Sequence, residues 1–441
     1  MNLSLATVTT VTLVAVGLCS SAVAKVHKVS DLDTLQTLCS ERAEPGDVIE
    51  IQPGTYYLET SHISVTRSGE PGNPIIIRGV VNDGKRPVID ASRVNVKRGI
   101  FRTEEITHDV VFEDLELRNA WGARFPDRET YGSNAGAIYF QGKNLTARRI
   151  HTHHNEDGWF AIHAAENILI ENCEIGHNGT QYEGRHHATH NFYFCAKSQV
   201  VRNSYIHHST EAQNFKSRGY HTILAYNWIE EDAGYSTEVA SGNEGNTLWI
   251  GNVIIKRTEH GRPQRRILGV GDGTGVAKGR LTMINNTIIS SLPDDLYLFT
   301  EKSSTCDVVL VSNVFAGPST WFLEHNGRGR ITGTNNWFQQ GMNVPAGLTD
   351  SIFGDDPGFV DLAGHDFRPR RGSPLIDTGH PFPEYLNAEQ GLEQILPRYE
   401  PSRDCHASIA RVIQGRVDIG AFEYDRSGAR EALPTEALTA H

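Results

Sequence analysis

Past its first two dozen residues, this 441-residue chain has no apolar run of the roughly 18 to 20 residues that a membrane-spanning helix needs. It has no excess of positive charge either. Asp and Glu number 53 against 41 Lys and Arg, a formal net charge of −12. That balance leaves no domain-wide basic footprint and argues against a nucleic-acid partner. Cysteine is sparse, with 6 in all and no Cys-x-x-Cys spacing, so zinc motifs built on paired cysteines are excluded. The LxxLxL spacing of leucine-rich repeats is also missing. What is present is a 38% hydrophobic fraction and 42 glycines, which suits a folded, turn-rich core rather than a disordered chain.

The one long apolar stretch is at the start. Residues 1–24 carry the apolar centre TLVAVGL and end in Ala22-Val23-Ala24, the small-x-small pattern of a cleaved export leader. The chain is therefore expected to be secreted or periplasmic, and monomeric. Cleavage leaves Cys39, Cys173, Cys195, Cys306 and Cys405. An odd number leaves at least one thiol unpaired, and Cys173 can meet Cys195 only if the fold stacks them.

A pattern then recurs: a β-branched run, an Asn or a stand-in, and a second short apolar run. It appears as DVVFEDLEL, NLTARRIHT, NILIENCEI, QVVRNSYIH, HTILAYNWI, TLWIGNVII, LTMINNTII, DVVLVSNVF and RITGTNNWF. The anchors are Asp114, Arg149, Asn172, Asn203, Asn227, Asn252, Asn286, Asn313 and Asn336, spaced by 35, 23, 31, 24, 25, 34, 27 and 23 residues. Such segments are too short and too β-branched for helices. A repeat of about two dozen residues is too short for a propeller blade, and it predicts an all-β solenoid, a single right-handed parallel β-helix over residues 25–424. Asn suits the bend, because it tolerates the left-handed conformation and its amide can bond from coil to coil. GDVIEIQPGTYYL (46–58) and NPIIIRG (73–79) are expected to open the helix. FRPRRGSPLIDTG (367–379) and VDIGAFEY (417–424) are expected to help cap its ends, with a frayed tail from Asp425.

These opening, repeating and closing segments resemble exported right-handed parallel β-helix proteins of the pectate-lyase superfamily. The resemblance covers most of residues 30–424. It implies the fold, and fold alone does not give a reaction.

Counting back from the anchors stacks the middle coils. Trp159, His190 and Asn214 each fall 13 residues before an anchor, Lys216 falls 11 before, and Glu238 and Asp272 fall 14 before. Period-2 alternation sends Phe215 inward and Asn214, Lys216 and Arg218 outward. The expected outward column is His190, Lys216 and Glu238, flanked by Asn214, Arg218 and Asp272. Two insertions, QYEGRHHATHNFYF and KRTEHGRPQRRILGVGDGTG, would wall it with Arg185, His186, His187, Arg257, Arg262, Arg265 and Arg266. On an acidic protein, this local basic enrichment suits an anionic ligand.

β-Elimination of a uronate polysaccharide needs three groups. One neutralises the substrate carboxylate, one removes the proton α to it, and one protonates the leaving oxygen. Arg218 can clamp the carboxylate. Lys216, beside Arg218 and the Arg-rich loop, suits the base. His190 and Tyr193 suit the acid. Asn214, Arg185, Arg265 and Arg266 are candidate substrate contacts. Glu211, Glu238 and Asp272 are candidate Ca²⁺ ligands. EAQNFKSRGYHTILAYNWIEE is similar to the stretch of chondroitinase-B-like and alginate-lyase-like enzymes in which a catalytic Lys lies in a Lys-Ser pair. That resemblance implies Lys216 as base and Glu211, five residues earlier, as a Ca²⁺ ligand. It breaks one coil later, where those enzymes carry Arg-His before Gly and this chain has STEVASG. The pattern His190-Asn191-Phe192-Tyr193, Lys216-Ser217-Arg218 and Glu238 also resembles a looser group of exported bacterial β-helix proteins. An exported lyase is the expected function. An inverting hydrolase using Glu238 and Asp272, a uronate epimerase and a non-catalytic carbohydrate binder are the alternatives.

Overall fold

The computed structural model describes residues 24–122, 135–162, 164–179, 189–210, 213–231, 237–239, 245–257, 266–270, 278–291, 296–300, 305–317, 321–322, 328–380, 397–405 and 408–428. The chain winds as the expected right-handed parallel β-helix. Successive turns add strands to three parallel sheets, of 13, 12 and 10 strands among the described residues. No helix among the described residues is long and apolar enough to cross a membrane.

The two roles read into the anchor asparagines belong to adjacent positions. The bend between the first and second sheets is made by a left-handed residue: Asp114, Arg149, Asn172, Asn203, Tyr226, Asn285, Ser312 and Asn335, with φ between 49° and 58°, and Gly251, with φ of 63°. The residue after the bend points inward. From Asn227 to Asn336 it is Asn, and each Nδ2 donates to the next Oδ1, through Asn252, Asn286, Asn313 and Asn336, at 3.0, 2.8, 2.9 and 3.1 Å. Ser204 and Cys173 extend this ladder toward the N-terminus: Ser204 N donates to Asn227 Oδ1, and Cys173 N donates to Ser204 Oγ. Buried amides must be paired, and stacking identical amides pairs them while fixing the register.

Inside the third sheet, Phe140, Trp159, Phe192 and Phe215 stack with centroids 5.9, 5.6 and 5.8 Å apart. Trp159 is therefore core, not part of an outward column. Outside the first sheet, Glu50, Arg78, Glu113, Arg148, Glu171 and Arg202 are register neighbours of alternating sign. Arg78 meets Glu50 at 2.8 Å, and Arg148 and Arg202 meet Glu113 and Glu171 at 2.5 Å. Opposite charges directly across strands support pairing.

A short α-helix, Leu32–Thr37, capped by the Asp31 carboxylate, adds Leu35 to the N-terminal end of the core. The C-terminal segments do something other than cap. Phe359, Phe367, Leu375, Ile419, Ala421 and Phe422 lie against Trp228, Val253, Ile255, Ile289, Val314 and Trp337, the outward residues of the second sheet's later strands. Asn285 Nδ2 donates to the carbonyl of Asp418, which ties this cover to a bend. The chain beyond Asp425 stays attached at first, where Arg426 pairs with Asp377. All five cysteines from Cys39 to Cys405 are buried free thiols, so Cys173 and Cys195 are not paired.

The cover is locked by charge at Glu230, which is 2% exposed and meets Arg257 at 3.2 Å and Arg403 at 2.5 Å. Arg257 is thus committed to the second sheet rather than to a ligand loop. Burial acts to raise the Glu230 carboxyl, but Arg403 and Arg257 outweigh it and hold it below its ordinary value. A depressed carboxylate contributes stability that is complete above its unfolded pKa, about 4.3, and is lost as pH falls through the native value. Glu230→Gln should cost on the order of 3 kcal/mol at neutral pH. The gap in denaturant midpoint between variant and parent should narrow in acid; a gap that is constant with pH would contradict the assignment.

Candidate active site

The strand Phe215–Ser217 lies in the third sheet between Phe192–Phe194 and Thr237–Val239. Alternation places Phe215 and Ser217 inside, where Ser217 Oγ bonds Gln199 Nε2 and Thr222 Oγ1 at 2.9 and 2.7 Å. Lys216 takes the outer face. The register puts Tyr193 directly before it and Glu238 directly after it. Phe160, Tyr139 and Arg102 continue the same column toward the N-terminus, and Gly269 follows Glu238. The column thus passes from a cation, through three aromatic rings, to a lysine and then a glutamate.

Tyr193 is the centre of this cluster. Its ring meets Phe160 edge-on at 5.1 Å and His190 at 5.2 Å. Lys216 Nζ lies 5.6 Å from the ring centroid, and the Arg218 guanidinium lies 5.5 Å from it. Both cations are within reach of the negative ring face. Cys195 sits among the same groups: burial pushes its thiol up to about 11, opposed by the charges of Arg218 and Lys216. Lys216 is only 7% exposed although it is on the outer face.

The structure therefore brings Lys216, Arg218, Tyr193 and His190 together, and places the Glu238 backbone one strand away. It corrects two of the expected positions. His190 is not in the column of Lys216, since it lies three residues before Tyr193 in the register: its backbone N–H donates to Asp157 Oδ1 at 2.8 Å, and its Nδ1 accepts from Gln213 N at 3.3 Å. One residue of the miscount arises because the earlier anchors are bend residues and the later ones are ladder residues; the other two come from merging offsets of 13 and 11 into one column. Asn214 is fully buried and is not a substrate contact. It belongs to a second amide network at the corner before the third sheet, running Asn155, Asn178, Asn191 and Asn214 at 2.9, 2.8 and 2.6 Å. Glu211, Asp272, Arg185 and Arg265 lie outside the described residues, as do His186, His187 and Arg262. Arg266 opens the strand Arg266–Val270.

Three contributors escaped sequence reasoning. Tyr139 and Phe160, stacked at 5.2 Å and 3° between planes, extend the aromatic face. Asp157 lies beneath His190, and burial pushes its carboxyl up to about 8, against the His190 hydrogen bond and helped by Glu156. The only sequence signal for it was the polar run NEDG before an aromatic strand.

The architecture is similar to that of pectate lyase Pel9A, at 14% identity and a TM-score of 0.57, covering 91% of this chain and 96% of that one. Lower similarities reach a rhamnogalacturonan lyase, at 14% identity, a TM-score of 0.48 and coverage of 77% and 91%. They also reach a mannuronic acid-specific family 6 polysaccharide lyase from human gut microbiota, at 15%, 0.42, and 75% and 82%. At such identities the first likeness establishes the parallel β-helix fold and no more. No protein-family model and no curated protein sequence matches the chain.

Removing the Asn214 amide strips a partner from Asn191 Nδ2 and from the Glu230 carbonyl. Asn214→Ala should cost about 1–3 kcal/mol for each buried group left unpaired. Denaturant unfolding measures this. Unchanged stability combined with weakened substrate binding would restore Asn214 to the substrate-contacting set.

Proposed function

We propose that this protein is an exported polysaccharide lyase that cleaves a uronic-acid-containing glycan by β-elimination. The observation that carries the proposal is the stacking of Tyr193, Lys216 and Glu238 in consecutive strands, with Arg218 beside Tyr193. The fold likeness to a protein named a pectate lyase is consistent with it.

Arg218 pairs with the uronate carboxylate, which makes the α proton acidic. Lys216 Nζ takes that proton. The electron pair left on carbon forms the new C=C bond as the glycosidic C–O bond breaks. The Tyr193 hydroxyl gives its proton to the leaving oxygen, and exchange between Lys216 and Tyr193 resets both groups. Tyr193 suits the acid role better than His190, which is 1% exposed and whose Nδ1 already accepts a backbone hydrogen bond. His190 then orients the Tyr193 ring. A Ca²⁺ ion held through Glu238 with Glu211 and Asp272 would add charge neutralisation at the carboxylate.

The test is incubation of the mature chain with a panel of acidic polysaccharides, following the ultraviolet absorbance of unsaturated uronates. Lys216→Ala should lose about 10²–10⁴-fold in kcat. Full activity in Lys216→Ala would remove the lysine from the mechanism. New reducing ends without unsaturation would make the enzyme a hydrolase. Chelation followed by CaCl₂ re-addition tests the metal.

A further inference from the structure

Three short motifs recur at one place in successive coils: HTHH (151–154), EIGH (174–177) and YIHH (205–208). Parallel stacking aligns His151 with Glu174 and Tyr205, and His153 with Gly176 and His207. The residues that follow, His154, His177 and His208, all take the left-handed bend at the exit of the second sheet, with φ of 56°, 54° and 46°. Six imidazoles thus crowd one corner, on a different sheet from the candidate active site.

We propose that His177, His207 and His208 bind a divalent transition-metal ion of the zinc class. One ligand atom from each of the three lies within 4.8 Å of the other two. His177 stacks on His208 at 5.0 Å and meets His207 edge-on at 5.2 Å. His207 and His208 approach through their Nδ1 atoms at 2.7 Å. The opposite nitrogen of His207, Nε2, is buried and has no hydrogen-bond partner. A buried polar atom left in that state calls for a ligand. Glu174 Oε1 stands 3.6 Å from it, beyond hydrogen-bond distance, and lies outside the three-histidine group. Space for the His207 ring is made by Gly176, the residue beneath it in register. A Cβ there would stand 2.2 Å from His207 Cε1 and 2.5 Å from Nε2.

Imidazole donors select zinc, copper or nickel over calcium and magnesium, which take oxygen. Around a tetrahedral ion with bonds of about 2.0–2.1 Å, ligand atoms sit roughly 3.3 Å apart. The neighbouring group Glu116, His151 and His153 is also compact, but His153 Nε2 already meets Glu116 Oε1 at 3.3 Å. An ion at the first group would join two coils: His177 lies on one, and His207 and His208 on the next. It would also touch the corner that carries the third sheet, because the His207 carbonyl accepts from Asn191 Nδ2 at 2.8 Å.

The test uses the chain without any added histidine tag, freed of metal by chelator dialysis and titrated with Zn²⁺ against a chromophoric chelator. One equivalent should bind, with X-ray absorption showing an imidazole-containing nitrogen/oxygen shell at about 2.0–2.1 Å. His177→Ala changes an exposed side chain and should keep the fold, as its circular dichroism would verify. It and His208→Ala should each weaken binding at least tenfold, while Lys216→Ala binds like the parent and excess Ca²⁺ does not compete. Absence of stoichiometric uptake by the folded parent would overturn the proposal. So would tight binding that survives in both histidine variants or that depends on His151 instead.

Discussion

Coil-to-coil register is the constraint on which every other feature of this molecule depends, and buried side-chain amides hold it. Asn227 to Asn336 form one chain of hydrogen bonds at the bend between the first two sheets, and Asn155 to Asn214 form another at the corner before the third. Each amide must pair because it is buried, and the pairing is satisfied only when the next coil is neither advanced nor retarded. A slip of one residue would unpair the amides and turn every strand's inward side chains outward. Register is thereby fixed without disulfides among the five buried cysteines.

Fixed register turns distance along the chain into contact. Tyr193, Lys216 and Glu238 are 23 and 22 residues apart in sequence and adjacent in space. The chemistry proposed for them needs a base, an acid and a charge clamp on one face. Two successive coils supply them, Tyr193 from one and Lys216 with Arg218 from the next, over the Phe192 and Phe215 rings beneath.

The solenoid was legible in the sequence because the bend and ladder positions repeat in residue type, and Asn serves both. The same fact hid the register. In the early coils the visible Asn172 and Asn203 are bend residues, while the ladder place holds Cys173 and Ser204. In the later coils Tyr226 and Gly251 make the bend, and Asn227 and Asn252 form the ladder. Coil lengths add to the drift: Lys216 lies 11 residues before Asn227, but Glu238 lies 14 before Asn252, so equal offsets do not mark one column. Asn214 shows a further limit. Strict alternation predicts it outward, but it precedes the strand Phe215–Ser217, at a corner where alternation does not apply.

Columns built for stability and columns built for chemistry can be told apart by how they repeat. The amide ladder repeats one residue, the interior of the third sheet repeats aromatic rings, and the first sheet alternates Glu with Arg. Each rung satisfies its neighbours, so each such column is a self-consistent stack. The column through Lys216 obeys no such rule: aromatic, lysine and glutamate follow one another, and a lysine against an aromatic face contributes little to stability next to a paired ion. The histidine corner is the reverse case, since it repeats one residue that stacks poorly as a structural unit. Neighbouring imidazoles can share one proton between two nitrogens, as His207 and His208 do through their Nδ1 atoms, but that sharing leaves His207 Nε2 unsatisfied. Repetition that leaves a buried atom unpaired does not serve the stack, which is why this corner points to a ligand rather than to the fold.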